Sequence, residues 1–339
     1  MKKIIALALA VLMIACLFAG CGNGTTTTPA PEDSGTPESN APVASGDAAK
    51  LAMATGGTSG TYYGFSGIIA SVLNEQLKDT LAITVESTGA SKANVQLVDG
   101  NECQLAIVQN DVMAYAYEAK DMFEGEEPTT SFSAVASCYP EECQIIANKN
   151  ITSIEDLRGK KVSVGDAGSG VEFNSRQILA AYGITFDDIT PNYQSFADSA
   201  DSLKNGTIDA AFIVAGSPTT AVTELASTFD FNVLSIDDEH IEALQADYGF
   251  YTKVTIPGGT YSCVAEDVQT VAVMATIIAR NDVSEDVIYA FTKGLFENKD
   301  AIATGHVKGA LLDPATAVSG ISIPFHPGAE KYYSEVGAK

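Results

Sequence analysis

The residues best placed to do chemistry in this chain are main-chain amides and hydroxyls. Two glycine-rich turns, Gly56-Gly-Thr-Ser-Gly-Thr-Tyr-Tyr-Gly64 and Gly165-Asp-Ala-Gly-Ser-Gly-Val-Glu172, each follow a β-like run and open a helical one. At such a junction the first-turn N–H groups lack intrahelical partners and point along the positive end of the helix dipole. Gly lets a ligand approach the backbone, and Ser or Thr adds donors. The chemistry on offer is the binding of a small anion. Neither turn is a P-loop, because the Lys of that motif is missing. One such turn is ordinarily no more than a tight connection, whereas two in one chain point to a shared site.

Three more strand-to-helix turns join them. Glu86-Ser-Thr-Gly-Ala-Ser-Lys-Ala-Asn94 offers Thr88, Ser91 and Asn94, with Ser91 as the expected N-cap and Lys92 as the one cation to watch. Gln109-Asn110-Asp111 and Ala215-Gly-Ser-Pro-Thr219 complete the set. In an open parallel sheet all five would lie at the carboxyl ends of the strands, where ligands bind. Catalysis has little support. His240, His306 and His326 stand outside any Ser, Cys or Asp pattern that suggests a triad, and no His or Cys spacing fits a metal. Neither a metal nor a cofactor is expected. Arg158, Arg176 and Arg280 are the only arginines, and none is placed as a carboxylate clamp.

The elements that must position these turns alternate. Leu51–Ala54 reads as a strand, the run through Ile68, Ile69, Val72, Leu73 and Leu77 as a helix, and Leu81–Val85 as a strand. The cycle repeats through a helix from Ser91, a strand Leu105–Val108 and a helix from about Asp111. Two β-like stretches between Ser133 and Ala147, split only by Tyr139-Pro-Glu-Glu142, read as the passage to a second lobe. There the pattern restarts with a strand after Gly159, a helix Gly170–Ala181, a strand Ile208–Val214 and a helix Pro218–Ala226. A β-like run Val268–Ala279 and a helix through Val287, Ile288, Phe291 and Leu295 return to the first lobe. The expected fold is α/β, a two-lobed clamp with a mainly parallel, helix-flanked sheet in each lobe. Residues 48–140 plus 256–339 form lobe 1 and residues 141–255 form lobe 2.

Composition supports an exported globular body. Its 339 residues suffice for two domains. With 19 Lys and Arg against 43 Asp and Glu, the net charge of −24 argues against nucleic acid or anionic lipid as a partner. Lys2 and Lys3 precede an apolar run Ile4–Gly20, short of the ~20 residues that span a bilayer, so residues 1–20 read as a signal peptide. Residues 21–47, rich in Thr, Pro, Ser and Gly, read as a disordered tether reaching on the order of 25 to 30 Å. Cys103, Cys138, Cys143 and Cys263 permit two bridges in three connectivities, Cys138 and Cys143 being near enough in sequence to bridge locally. Four free thiols is the equal alternative.

Leu17-Phe-Ala-Gly-Cys21 resembles the lipobox of bacterial lipoproteins, which implies diacylation at Cys21 and anchorage at the outer face of the cytoplasmic membrane or in the periplasm. From about Lys50 to Gly337 the chain resembles the TAXI family of solute-binding proteins, extracytoplasmic receptors of tripartite ATP-independent periplasmic (TRAP) transporters. The matching blocks are GGTSGTYYG, ESTGASKAN, VQND, SIEDLRGKKVSVGDAGSGVEFNSRQIL, IDAAFIVAGSPT, TIPGGTY with EDVQTVAV, and HPGAEKYYSEVG. The resemblance implies a two-lobed receptor, not an enzyme, that closes on a small carboxylate, and a monomer is expected. That ligand would be an acidic amino acid such as glutamate or a related C5 dicarboxylate, handed to a TRAP-type permease. It places the ligand contacts at Thr58, Ser59, Gly60, Tyr62 and Tyr63, at Ser91 and Asn94, and at Gln109 and Asp111, to which the reading of the third turn adds Thr88. In the second lobe it places them at Ser169, Gly170 and Glu172 and at Ser217, Pro218 and Thr219, with Gly168 added from the second glycine-rich turn. Ser59, Ala90, Lys92, Ala93 and Val171 depart from residues common in the family. A surface sensor signalling through a membrane partner would use the same closure, and the neighbouring genes would separate the two.

Overall fold

The computed structural model describes residues 48–339; the leader, Cys21 and the tether to residue 47 lie outside the described residues. The chain opens with β1 (Ala49–Ala54), α1 (Thr61–Gln76), β2 (Leu81–Glu86), α2 (Ser91–Asp99), β3 (Leu105–Gln109) and α3 (Asn110–Glu118). After β4 (Phe132–Asn148) come β5 (Lys161–Ser163), α4 (Gly170–Ala181), β6 (Thr190–Asn192), α5 (Phe196–Lys204), β7 (Ala210–Ala215) and α6 (Thr220–Ala226). Then follow β8 (Phe231–Leu234), α7 (Asp238–Asp247), β9 (Thr252–Ile256), β10 (Val268–Arg280), α8 (Glu285–Glu297), α9 (Lys299–Gly305), α10 (Pro314–Ala317) and α11 (Pro327–Glu335).

The strands form one sheet in the order β2-β1-β3-β10-β4-β7-β5-β6, with β8 on β4 and β9 on β10. β1 runs parallel to β2 and β3, and β5 runs parallel to β6 and β7. β4 and β10 run antiparallel to each other and to their other neighbours. They are long enough to serve two halves. The outer parallel groups are built from βα units, so helices cover both faces and strands such as β3 and β7 are buried throughout.

Each half therefore has two cores. In the first, Phe65, Ile107 and Phe291 pack on one face and Val98, Val108 and Phe123 on the other. In the second, Leu179, Phe212 and Leu244 pack on one face and Leu203, Ile213 and Phe231 on the other. Each such side chain contributes about 2 to 3 kcal/mol by leaving water. The return from the second half lies along β10: Tyr261 and Val268 pack with Phe231, Val271 and Val273 with Phe212, and Ala275 and Ile277 with Ile107.

One expectation needs correction, and one open alternative is decided. The stretches flanking Tyr139-Pro-Glu-Glu142 are one strand, β4, because Pro140 and both acids keep their register opposite Met274, Val273 and Ala272 of β10. Cys138 and Cys143 are not bridged: Cys138 lies in a first-half core and Cys143 in a second-half core, and all four body cysteines are free thiols.

Candidate functional site

Four helix N-termini meet at one cavity of about 50 Å³: α1 through Gly60 to Tyr62, α2 through Ala90 and Ser91, α4 through Ser169 to Val171, and α5 through Ser195 and Phe196. Two come from each half. α4 and α5 are closed by their own sequence, since Ser169 Oγ accepts from Glu172 N–H and Ser195 Oγ from Asp198 N–H, both at 3.2 Å. α1 and α2 start at Gly60 and Ala90 with no side-chain cap, which leaves their first-turn N–H groups to an outside acceptor. The backbone around the cavity is tight. Gly165 has a φ of +88°, and a Cβ on it would lie 2.6 Å from Val171 and 2.8 Å from Ser169 Oγ. Ala90 holds a φ of 68° and ψ of −149°, a conformation that costs a residue with a Cβ about 1 to 3 kcal/mol.

The remaining wall combines Gly56, Gly57, Val214 and Ala215 with two acids, Glu141 and Asp166. Glu141, in the middle of β4 and 2% exposed, accepts a 2.6 Å hydrogen bond from the Tyr62 hydroxyl. Burial pushes the Glu141 carboxyl well above the usual carboxylate range, with Asp111 and Glu142 adding to the effect. Burial next to that carboxylate also holds the Tyr62 phenol well above its ordinary value. Asp166 lines the same space, its carboxyl raised by burial and by nearby Asp198. Among the described residues no Lys, Arg or His lines the cavity.

Beside it, polar side chains tie the halves together. Asn174 of α4 donates to Asp111 Oδ2 at 3.0 Å and to the Tyr251 hydroxyl at 2.9 Å, and accepts from Gln109 Nε2 at 2.9 Å. The Tyr251 hydroxyl donates to Gln177 Oε1 at 2.7 Å, and Gln177 donates to Asp121 at 3.0 Å. Burial pushes Asp111 up to about 6, although the bonds from Asn174 and the Val112 amide oppose the shift. On the other flank Thr61 Oγ1 donates to Gly216 O at 2.9 Å, and the Ala221 amide to Ser59 O at 3.2 Å.

Of the residues singled out from sequence, Ser59, Gly60, Tyr62, Ser91, Gln109, Ser169 and Gly170 line the cavity. The others stand elsewhere. Thr58 is exposed and Tyr63 half-buried. Asn94 donates to Thr55 O at 2.5 Å and Ile107 O at 2.8 Å and accepts from Thr88, so both residues hold the loop instead of facing the cavity. Asp111 belongs to the tie between the halves. Glu172 accepts from the Gly168 amide at 2.7 Å and pairs with Arg176 at 3.0 Å, which uses both its oxygens locally. Pro218 is exposed, Ser217 N–H is held by Glu142 at 2.8 Å, and Thr219 is held by Gln144 and Tyr261 at 3.0 Å each. Lys92 turns away to Glu126 at 2.8 Å. Ser91 is not an N-cap: it is the first helical residue, and its Oγ accepts from the Gln109 amide at 3.2 Å.

Sequence reasoning passed over Glu141, Asp166, Ser195 and Phe196. Two adjacent acids inside an apolar strand-like run were the visible sign of Glu141, and the Ser195-x-x-Asp198 spacing is a helix-start signal that marks α5. Among the described residues no group of three or more His, Cys, Asp or Glu is placed to hold a metal ion, and no helix is long and apolar enough to cross a membrane.

Two α/β halves sharing two long strands, with helix N-termini from both on one cavity, define the two-lobed, type II-like fold of the periplasmic binding proteins. PhnD1 from Prochlorococcus marinus, solved in complex with methylphosphonate, is 10% identical and aligns over 86% of this chain and 99% of its own with a TM-score of 0.53. The binding protein component of an ABC phosphonate transporter from Pseudomonas aeruginosa is 11% identical over 77% of this chain and 79% of its own, with a TM-score of 0.50. The chain belongs to the NMT1-like family, whose model matches residues 53–337.

Proposed function

We propose that this protein is a solute receptor of the TAXI class, held outside the cell membrane by a lipid on Cys21 and a tether through residue 47. It closes on a small carboxylate, an acidic amino acid such as glutamate or a related C5 dicarboxylate, and delivers it to a TRAP-type permease. One observation carries the reading: helix N-termini from both halves open on the same cavity, two of them without a cap of their own. Such a site gains its full set of donors only when the halves meet, which couples binding to closure. The lobes divide at residues 140/141, and the packing of Tyr261, Val268 and Val273 favours a return near Met274 over one at residue 256.

The test is a thermal-shift series on the full-length chain with acidic and neutral amino acids and with 2-oxo and 2-hydroxy dicarboxylates. Mass spectrometry then follows the ligand and the mature N-terminus. A ligand at 100 times its Kd adds ~2.7 kcal/mol, which is a shift of several degrees. A selective shift with the ligand recovered unchanged, and a diacylglycerol mass on Cys21, is the expected result. A chemically altered ligand would overturn the receptor reading in favour of an enzyme.

A further inference from the structure

An anion site with an acid in its wall has a conflict of charge to resolve. Four helix N-termini open on the cavity, yet among the described residues no Lys, Arg or His lines it, and Glu141, 2% exposed, does. Its Oε2 accepts from the Tyr62 hydroxyl at 2.6 Å, and among the described residues its Oε1 has no hydrogen-bond partner. Asp166, the other acid of the wall, is half-buried, so water reaches its charge. Glu141 has no such relief. When a carboxylate ligand enters a space of about 50 Å³ beside it, two like charges lie out of reach of solvent, and such a pair holds a proton.

The groups that face Glu141 leave the conflict in place. β4 itself contributes Tyr139 and Glu142, with the Cys138 and Cys143 thiols, α1 contributes Tyr62 and α3 contributes Asp111, while β10 lies opposite with Val273. Lys308 is the one cation among them, and it points at Glu142 Oε1 at 3.6 Å. Burial outweighs it, in keeping with the raised carboxyl described above. The phenol also orients the acid. Because the Tyr62 hydroxyl donates to Oε2, Oε1 is the atom left to carry a proton, and Oε1–H is then one more donor beside the first-turn N–H groups of α1 and α2.

We infer that the receptor binds its anion together with a proton: Glu141 stands as a neutral acid whose Oε1–H donates to the ligand carboxylate, the proton being drawn from solvent. This rests on the receptor reading above and adds a regulation to the same site. As pH rises through the range in which the empty receptor gives up that proton, affinity falls by up to about tenfold per pH unit.

The experiment is titration calorimetry on the full-length chain at pH 7, 8 and 9 with three probes, glutarate, 2-oxoglutarate and L-glutamate. Each pH is run in two buffers of unlike ionisation enthalpy, which counts the protons taken up. For a probe that binds, the wild type should lose at least tenfold in affinity between pH 7 and pH 9 and take up protons, up to one per ligand. Asp111, at about 6, is largely ionised over that interval and adds little to the slope. Glu141→Gln, whose amide nitrogen donates without a proton to lose, should vary by less than threefold across the interval. Asp166→Asn should keep the wild-type slope. Should Glu141→Gln not fold, as judged by circular dichroism, the proton count on the wild type still decides. A flat wild-type profile without proton uptake, or a slope that survives in Glu141→Gln, would overturn the proton assignment and leave the receptor reading standing. Binding of none of the three probes would overturn both.

Discussion

Replacing Asn174 by Ala tests how the two halves are held against each other. Asn174 is fully buried and makes three hydrogen bonds, two as donor to Asp111 and Tyr251 and one as acceptor from Gln109. Tyr251 keeps its bond to Gln177, so the variant leaves two orphans, the Gln109 amide nitrogen and one oxygen of Asp111. A buried neutral orphan costs about 1 to 3 kcal/mol and a charged one more, which sums to about 3 to 5 kcal/mol at pH 7. The cost must depend on pH. Asp111 sits at about 6, so it is ionised at pH 7 and mostly protonated at pH 5. Losing the Asn174 bond removes a group that lowers that value, and each unit of further rise is worth 1.36 kcal/mol. The penalty should therefore be about 1 kcal/mol larger at pH 7 than at pH 5. The chain contains no Trp, so urea unfolding is followed by circular dichroism at both pH values, with X-ray scattering to register any parting of the halves. A cost below about 1 kcal/mol with an unchanged radius of gyration, or an equal cost at both pH values, would refute the reasoning.

Asp111 also imposes a pH slope on the native protein. Its carboxyl is raised in the folded state, so the stability it contributes is complete below about pH 4 and is lost as pH rises through about 6, a total of about 3 kcal/mol. Over pH 4 to 7 the loss read from urea midpoints should be smaller by about that amount in Asp111→Asn than in the wild type, the remainder coming from the other raised carboxyls, Glu141 and Asp166. Gly170→Ala would place a Cβ 1.7 Å from Gln109 Oε1 and 2.5 Å from its Cδ. Gln109 must then leave Asn174, and the variant should lose about 1 to 3 kcal/mol in urea and about tenfold in affinity for L-glutamate by calorimetry. Ala90→Gly relieves a φ of 68° and should gain about 1 kcal/mol, measured as a higher urea midpoint with an unchanged slope.

The elements were legible where local chemistry decides them. Gly170–Ala181 was readable to the residue because Ser169 and Glu172 cap that helix within the same turn. Strands β1, β2, β3 and β10 were readable because their apolar runs are bounded by turns. β4 was not readable as one strand, because two acids and a proline inside an apolar run look like a break when only neighbours in sequence are considered. In the folded chain those residues mark the crossing between halves: Glu141 leaves the cores for the cavity, and Glu142 leaves them for Ser217 and Lys308. Helix α5 escaped notice with its surroundings, and Ser195 and Phe196 went with it.

The loops of the site were legible as loops, but the orientation of each side chain was not, and the reason is physical. Asn94, Thr88, Ser91 and Thr219 have the right chemistry for a ligand and use it on partners 6 to 75 residues away in sequence. A buried polar group must find a partner, and whether that partner is the protein or a solute is decided by long-range pairing of the strands. The same rule makes the exceptions informative. Among the polar groups that line the cavity, the uncapped starts of α1 and α2, the Ser59 hydroxyl, the Asp166 carboxyl and one oxygen each of Glu141 and Gln109 have no protein partner. Those helix starts offer their donors to an anion, which is the chemistry on which the receptor reading rests.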